Sequence, residues 1–326
     1  MSAYKLTLDQ ARAALAKLME KYTVIAPVMN DNRLDYAEVT DARDVILDDR
    51  LPYKSPKETV FPRVENVIRF LEGRVEEAQD IKPILLIGAK PCDIAALNDL
   101  DGIFTSDKGK FKDSFYINRR NCLTVVGAGC TSKKTACFCD ERGIDMTFSP
   151  ECDGFLNFVD GDILYEPLTA KGDGLFTGSE AEPPKRDTKP EETLKIEAKE
   201  ADVFATMPWE SYVEGCIGCG TCTYLCPTCH CFNLRDAEDK GIVTRTRVWD
   251  SCMYPKFTLH ASGHNPRTEK YQRFRQRVLH KYLYIPENYG FTACSGCGRC
   301  IRSCPGGLNI RDTVSDIMER LEEAKE

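Results

Sequence analysis

Residues 216–227 read CIGCGTCTYLCP and residues 294–305 read CSGCGRCIRSCP, so one arrangement, CxxCxxCxxxCP, occurs twice near the end of the 326-residue chain. Three cysteines spaced this way can wrap one 4Fe-4S cubane. The fourth, turned away by the proline behind it, reaches the partner cluster in two-cluster folds. The spacing therefore assigns Cys216, Cys219, Cys222 and Cys304 to one 4Fe-4S cluster, and Cys226, Cys294, Cys297 and Cys300 to another. Zinc is the competing reading, because tetrahedral zinc sites also use CxxC pairs. It is disfavoured: a zinc ion takes two pairs, and a tight run of three followed by Cys-Pro leaves ligands over. Two cubanes in one domain, each storing one electron at a time, point to a relay.

The remaining composition narrows the class. With 42% hydrophobic and 29% charged residues, the chain is ordinary globular material, long enough for two domains with a proper core. A net charge of −7 argues against nucleic acid, which needs a basic footprint. The 17 cysteines gather in ligand patterns rather than a disulfide framework, as expected in a reducing compartment. No apolar run is long enough to cross a bilayer, and the N-terminal MSAYKLTLDQ lacks the cationic and apolar regions of a signal peptide. The expectation is a cytoplasmic protein with no membrane insertion.

Upstream of the repeats, the pattern is α/β. Thr7 to Gln10 has the spacing of a capping box, followed by Leu8, Ala11, Leu15 and Leu18 at helical intervals. Tyr22–Pro27 and Tyr36–Thr40 read as strands with a turn at Asp31–Arg33, and Arg63–Ala78 as a helix with Val64, Val67, Ile68 and Leu71 on one face. Two apolar runs, Ile84–Gly88 and Leu123–Gly127, flank a helical stretch through Ile94 and Leu97. This is a βαβ unit, whose parallel strands end on one edge of the sheet where binding loops gather. Residues 166–203, with EAEPPKRDTKPEE at 180–192, read as a charged linker or excursion. The interval between the repeats carries helical patterns such as Tyr271–Tyr282, and the last helix from Ile310 has a stripe of Val314, Ile317, Met318 and Leu321. The expected fold class is α+β: an N-terminal α/β domain over 1–165, the linker over 166–203, and an all-helical two-cluster ferredoxin domain over 204–326.

A second group of cysteines falls at the edge of the βαβ unit. Cys92 follows the first apolar run, and Cys130, Cys137 and Cys139 follow the second within ten residues. Buried apolar cysteines are common, but a CxC pair beside a third cysteine in a polar, Lys-containing loop is poor core material. Spacing favours a metal site, iron–sulfur rather than zinc given the neighbouring domain. Cys122 competes for a ligand place, and Cys152 lies farther off. GAGCTS at 127–132 imitates a dinucleotide fingerprint only weakly, with Ser132 in place of the third glycine. Cys229, Cys231 and Cys252 lie near the first repeat in sequence, where packing or tuning roles compete with direct ligation. The basic run 267–281 reads as a solvated helix face, with offsetting cluster charge or receiving an acidic partner as the alternative. No general acid or base is indicated, so no catalytic residue is named.

These segments resemble a known family. KPCDIAALNDLDGIF (90–104), YINRR (116–120), GCTSKKTACFCDERG (129–143), CIGCGTCTYLCPTCHCF (216–232), RVWDSC (247–252), RFRQRVLHKY (273–282) and CSGCGRCIRSCPGG (294–307) resemble the iron–sulfur electron-transfer proteins grouped with the A subunit of anaerobic sulfite reductase and the β subunit of cytoplasmic sulfhydrogenase. RGIDMTFSPE at 142–151 departs from that pattern. The resemblance implies a third 4Fe-4S cluster on Cys92, Cys130, Cys137 and Cys139. It also implies a ferredoxin-reductase-like partner subunit binding flavin and NAD(P)H, and a terminal reductase, hydrogenase or heterodisulfide-reductase-like subunit. The alternative is an iron–sulfur redox sensor or scaffold.

Overall fold

The computed structural model describes residues 3–71, 73–77, 81–106, 112–186 and 189–325. Its strands are β1 (Ala3–Leu6), β2 (Thr23–Asn30), β3 (Arg33–Glu38), β4 (Val64–Leu71), β5 (Arg74–Glu77), β6 (Ile84–Ala89), β7 (Leu123–Ala128), β8 (Gly154–Val159), β9 (Asp162–Pro167), β10 (Ser179–Ala181), β11 (Phe232–Asp239) and β12 (Ile242–Trp249). Its helices are α1 (Leu8–Leu18), α2 (Pro91–Phe104), α3 (Ser114–Cys122), α4 (Glu200–Phe204), α5 (Thr221–Tyr224), α6 (Lys270–Leu279), α7 (Ile285–Tyr289), α8 (Arg299–Arg302) and α9 (Ile310–Glu323).

The two apolar runs of the βαβ unit become β6 and β7, adjacent and parallel, with Ile84 opposite Leu123 and Leu86 opposite Val125. Every residue of β7 is buried, which is why the run is continuously apolar rather than alternating. They sit in a sheet of order β10-β1-β9-β8-β7-β6-β2-β3. Its parallel centre, β2, β6, β7 and β8, is flanked by antiparallel strands. The capping box ahead of α1 is present: Gln10 N donates to Thr7 Oγ1 at 3.2 Å, and Thr7 N to Gln10 Oε1 at 2.8 Å. α2 starts directly after β6 with Pro91 in its first turn, where a missing N–H costs nothing. Cys92 is thereby fixed at the sheet edge.

Two expectations need correcting. The segment read as a helix over Arg63–Ala78 is a β-hairpin of β4 and β5, paired Leu71 to Arg74; Ala78 lies outside the described residues. Gly73 at φ +70° makes the turn, and Val64, Ile68 and Phe70 suit a pleated strand as well as a helical stripe. Nor is the C-terminal region all-helical. β11 and β12 form a full hairpin from Phe232 opposite Trp249 to Asp239 opposite Ile242. Its two turn residues, Lys240 (φ 51°) and Gly241 (φ 80°), give the primed geometry that matches strand twist. β12 also pairs with β4, so the second sheet, β11-β12-β4-β5, draws strands from both halves of the chain.

The C-terminal core gathers Phe274, Val278, Ile310, Val314 and Ile317 with Leu194, Ile196 and Val203. The stripe of α9 is thus core packing. The segment read as a linker is exposed through much of 177–193, yet it is pinned to the N-terminal core by Leu175 and Phe176 and to the C-terminal core by Leu194 and Ile196.

Candidate metal centre

Each CxxCxxC loop contains two glycines in the left-handed region at matching positions: Gly218 (φ 70°) and Gly220 (φ 75°), then Gly296 (φ 60°) and Gly298 (φ 68°). A side chain resists that backbone, glycine does not. The second glycine of each pair immediately precedes a short helix, α5 or α8. The sequence repeat is therefore a structural repeat. The turns aim main-chain donors at thiols: Gly218 N lies 3.4 Å from Cys216 Sγ, and Leu308 N 3.3 Å from Cys304 Sγ.

Cys216, Cys219, Cys222 and Cys304, the first set predicted from spacing, all line one cavity walled by Met253, Phe274 and Ile310. Cys300 reaches the same wall. The second set is more deeply placed, with Cys226 and Cys297 each 7% exposed. Burial pushes the Cys300 thiol up to about 12, opposed by Arg277 and reinforced by Cys226, Cys297 and Cys294 nearby. The second four thiols are thus neighbours too.

Buried cations surround these thiols. Lys281, 3% exposed, donates to Cys226 Sγ at 3.3 Å, Thr228 Oγ1 at 2.7 Å and Ala293 O at 2.8 Å. Lys57, also 3% exposed, donates to the carbonyls of Cys226 and Cys229, both at 2.9 Å. Arg277 donates to Cys222 O at 3.0 Å. None of the three makes an ion pair with a carboxylate among the described residues. Burial works against the charges on Lys281 and Arg277, but facing thiolates outweigh it and hold both pKa values above their ordinary range. Buried charge without a counter-charge costs several kcal/mol, so this arrangement calls for an anionic occupant. The basic run 267–281, expected to be solvated, instead turns Arg273, Arg277 and Lys281 inward at four-residue spacing, one face of a helix.

Orphaned polar atoms point the same way. Arg277 Nε, Tyr282 Oη and Ser295 Oγ are buried without a hydrogen-bond partner, and all three adjoin the cysteine loops. Such groups are normally satisfied. Donors aimed at cluster sulfurs would be. The residues present therefore fit an iron–sulfur cluster in both sets.

At the sheet edge, Cys92 and Cys139 pack in one buried group with Cys297. Cys130 interacts with Cys137 and with the buried Lys90, and Cys92 with Cys130. Cys92 and Cys139 thus share one buried group, and Cys130 and Cys137 lie within electrostatic reach of it. Cys122 does not join them, because it precedes β7 and six strand residues carry it about 20 Å from the edge. Cys152 is buried against Ser149 O and Gly154 O. The glycines of GAGC hold no ligand cradle: a Cβ at Gly127 would meet Phe155 at 2.6 Å, and one at Gly129 would meet Thr147 O at 2.4 Å.

This edge docks directly on the second cysteine loop. Phe138 N donates to Gly296 O at 2.8 Å, Arg142 Nε to Cys294 O at 2.9 Å, and the Cys137 thiol to Cys297 O at 3.5 Å. Arg299, fully buried in α8, forms a two-pronged ion pair with Asp93 of α2 at 2.6 and 2.9 Å, and Tyr36 Oη completes Asp93 at 3.1 Å. Sequence reasoning missed Arg299 and Asp93, whose 206-residue separation leaves no local signal.

Asp99, on α2, faces the same region. Burial pushes its carboxyl up to about 8, against the pull of Lys281 and Arg142. It holds its proton to higher pH than an ordinary carboxyl and gains negative charge as pH rises. The reduction potential of the second cluster is expected to fall across that range, and Asp99→Asn to flatten the dependence in a redox titration taken at several pH values.

The class defined by this geometry agrees with comparison to known proteins. Residues 215–308 match the 4Fe-4S dicluster domain, which makes the chain an iron–sulfur protein. Over nearly its whole length the chain is similar to sulfhydrogenase 2 subunit beta of Pyrococcus furiosus, at 29% identity over 324 residues covering 94% of this chain and 95% of the relative. No solved structure is a significant match. Among the described residues no helix is long and apolar enough to cross a membrane.

Proposed function

We propose that this chain is the iron–sulfur electron-transfer subunit of a cytoplasmic, multi-subunit oxidoreductase of sulfhydrogenase type. It relays single electrons from a ferredoxin-reductase-like subunit, which binds flavin and NAD(P)H, to a terminal catalytic or acceptor subunit, or in the reverse direction. The observation that carries this reading is the set of buried, carboxylate-free cations, Lys57, Arg277 and Lys281, set among two groups of four cysteines. A 4Fe-4S cluster accepts and releases one electron at a time at a potential set by ligands, burial and hydrogen bonds to sulfur. In this reading Cys216, Cys219, Cys222 and Cys304 hold the first cluster, and Cys226, Cys294, Cys297 and Cys300 the second, within a functional unit spanning 204–326.

The N-terminal unit, 1–165, supplies a third cluster in this proposal, on Cys92, Cys130, Cys137 and Cys139. What supports it is their convergence beside buried Lys90 and the main-chain docking of their loop on the second cysteine loop. Cys137→Ser should lower iron by about one cubane, four atoms per chain, with the dicluster signals kept. Unchanged iron and an unchanged reduced-state spectrum would remove the third site.

Partner exchange is assigned to the first cluster. Cys219 is exposed, and the adjoining Ile217 is 71% exposed, whereas Cys226 and Cys297 of the second set are buried and none of its four cysteines is exposed. Ile217→Glu should slow anaerobic reduction by the flavin subunit plus NAD(P)H, measured by stopped flow, while leaving iron content unchanged. Failure of the wild-type clusters to reduce within turnover time would overturn the relay.

A further inference from the structure

Five cysteines remain outside the sites above, and three of them, Cys229, Cys231 and Cys252, lie close together, apart from Cys122 and Cys152. Cys229 and Cys231 form a CxC pair, and Cys252 comes from the far side of the β11–β12 hairpin. The hairpin brings them together: Phe232 pairs with Trp249, and Asp250 N donates to Cys231 O at 2.9 Å, so both strand ends deliver cysteines to one place. All three cysteines line one small cavity of about 20 Å³, with His230 and His280 in the same wall. The two imidazoles meet edge to face at 5.6 Å. His280 opens a π-helical turn, His280–Tyr284, a widening of the helix that recurs at functional sites.

The surroundings again call for negative charge. Arg277 and Lys281 line this cavity, and Lys57 Nζ donates to Cys229 O at 2.9 Å, all without a carboxylate partner. Two thiols in a protein core need no such company. Among the described residues no three Cys, His, Asp or Glu side chains gather tightly enough for a single metal ion, where Zn–S distances are about 2.3 Å.

We propose that Cys229, Cys231 and Cys252, completed by His280, hold an additional iron–sulfur cluster beside the second cluster. Cys229 neighbours Cys226, so the site adjoins the relay rather than standing apart from it. A second cavity of about 260 Å³, lined by Cys231, Cys252, Phe257 and Arg267, opens beside two of these thiols and gives them a route to solvent. The inference rests on the iron–sulfur reading above, and the following experiment separates the two.

The test takes the full chain purified anaerobically, and compares it with the variant Cys231→Ala/Cys252→Ala for iron, acid-labile sulfide and electron paramagnetic resonance. The expected result is a loss of about four iron atoms per chain with the dicluster signals retained. Unchanged iron with those signals intact overturns the additional cluster and leaves the relay standing, as does loss of one zinc per chain. A wild-type protein without iron overturns the relay itself. Should the double variant fail to fold, native alkylation of the wild type decides. Cys231 and Cys252 should resist iodoacetamide in the loaded protein and react after cluster removal, whereas ready labelling of the loaded protein, or a disulfide between them, contradicts the proposal.

Discussion

Gly296→Ala is expected to abolish recovery of a folded, fully loaded protein, whereas Gly218→Ala, at the matching position of the other loop, is expected to be tolerated. Both glycines have positive φ, so an alanine at either costs about 1–2 kcal/mol in backbone strain. Their surroundings differ. A Cβ at Gly218 would meet nothing within 4 Å, while one at Gly296 would sit 2.5 Å from Phe138 O and 2.6 Å from Cys139 N. Those are main-chain atoms of the loop carrying Cys137 and Cys139, and they cannot step aside as a flexible side chain can. Overpacking adds about 1–3 kcal/mol, a large part of the roughly 5–15 kcal/mol that holds a domain together. Iron content and thermal unfolding of the two variants check this. Equal behaviour would mean that the docking between the N-terminal edge and the second loop is absent in solution.

Lys281→Met should lower the potential of the second cluster by on the order of 100 mV. Its ammonium lies 3.3 Å from Cys226 Sγ and makes no carboxylate ion pair among the described residues, the nearby Asp99 carboxyl being held towards its neutral form. A unit charge at about 5 Å in an effective dielectric near 20 contributes about 3 kcal/mol, and one-electron couples shift by about 59 mV per tenfold change in equilibrium. Methionine keeps much of the length and apolar stem. Removing the positive charge disfavours the added electron, so the shift is towards more negative potential. A titration followed by electron paramagnetic resonance reads it directly, with the first cluster as internal reference. No shift would place the ammonium away from the cluster.

The sequence made legible what is local and periodic. The two CxxCxxCxxxCP repeats, the capping box at Thr7 and the buried strands β6 and β7 were readable because spacing or burial on both faces leaves a pattern. The parallel strands that place Cys92 and Cys130 beyond one edge of the sheet were readable in the same way. Two of the hairpins, β4–β5 and β11–β12, were not read correctly, whereas β2 and β3 were placed as strands about the turn at Asp31–Arg33. β4 carries its apolar residues at intervals that also fit a helix, and β11, exposed along its length, has no apolar face at all. Its surest signal was the Lys240-Gly241 turn, one dipeptide long. The inward stripe Arg273, Arg277 and Lys281 was hidden for the opposite reason. Charged residues are almost always solvated, and only the anionic character of what they face explains their burial.

Iron and acid-labile sulfide counting on freshly isolated, oxygen-protected protein, joined to electron paramagnetic resonance of the reduced form, tests the central claim most directly. The account predicts at least about eight irons and eight sulfides per chain, with signals from two neighbouring clusters that interact magnetically. A colourless protein holding zinc and no sulfide would contradict it.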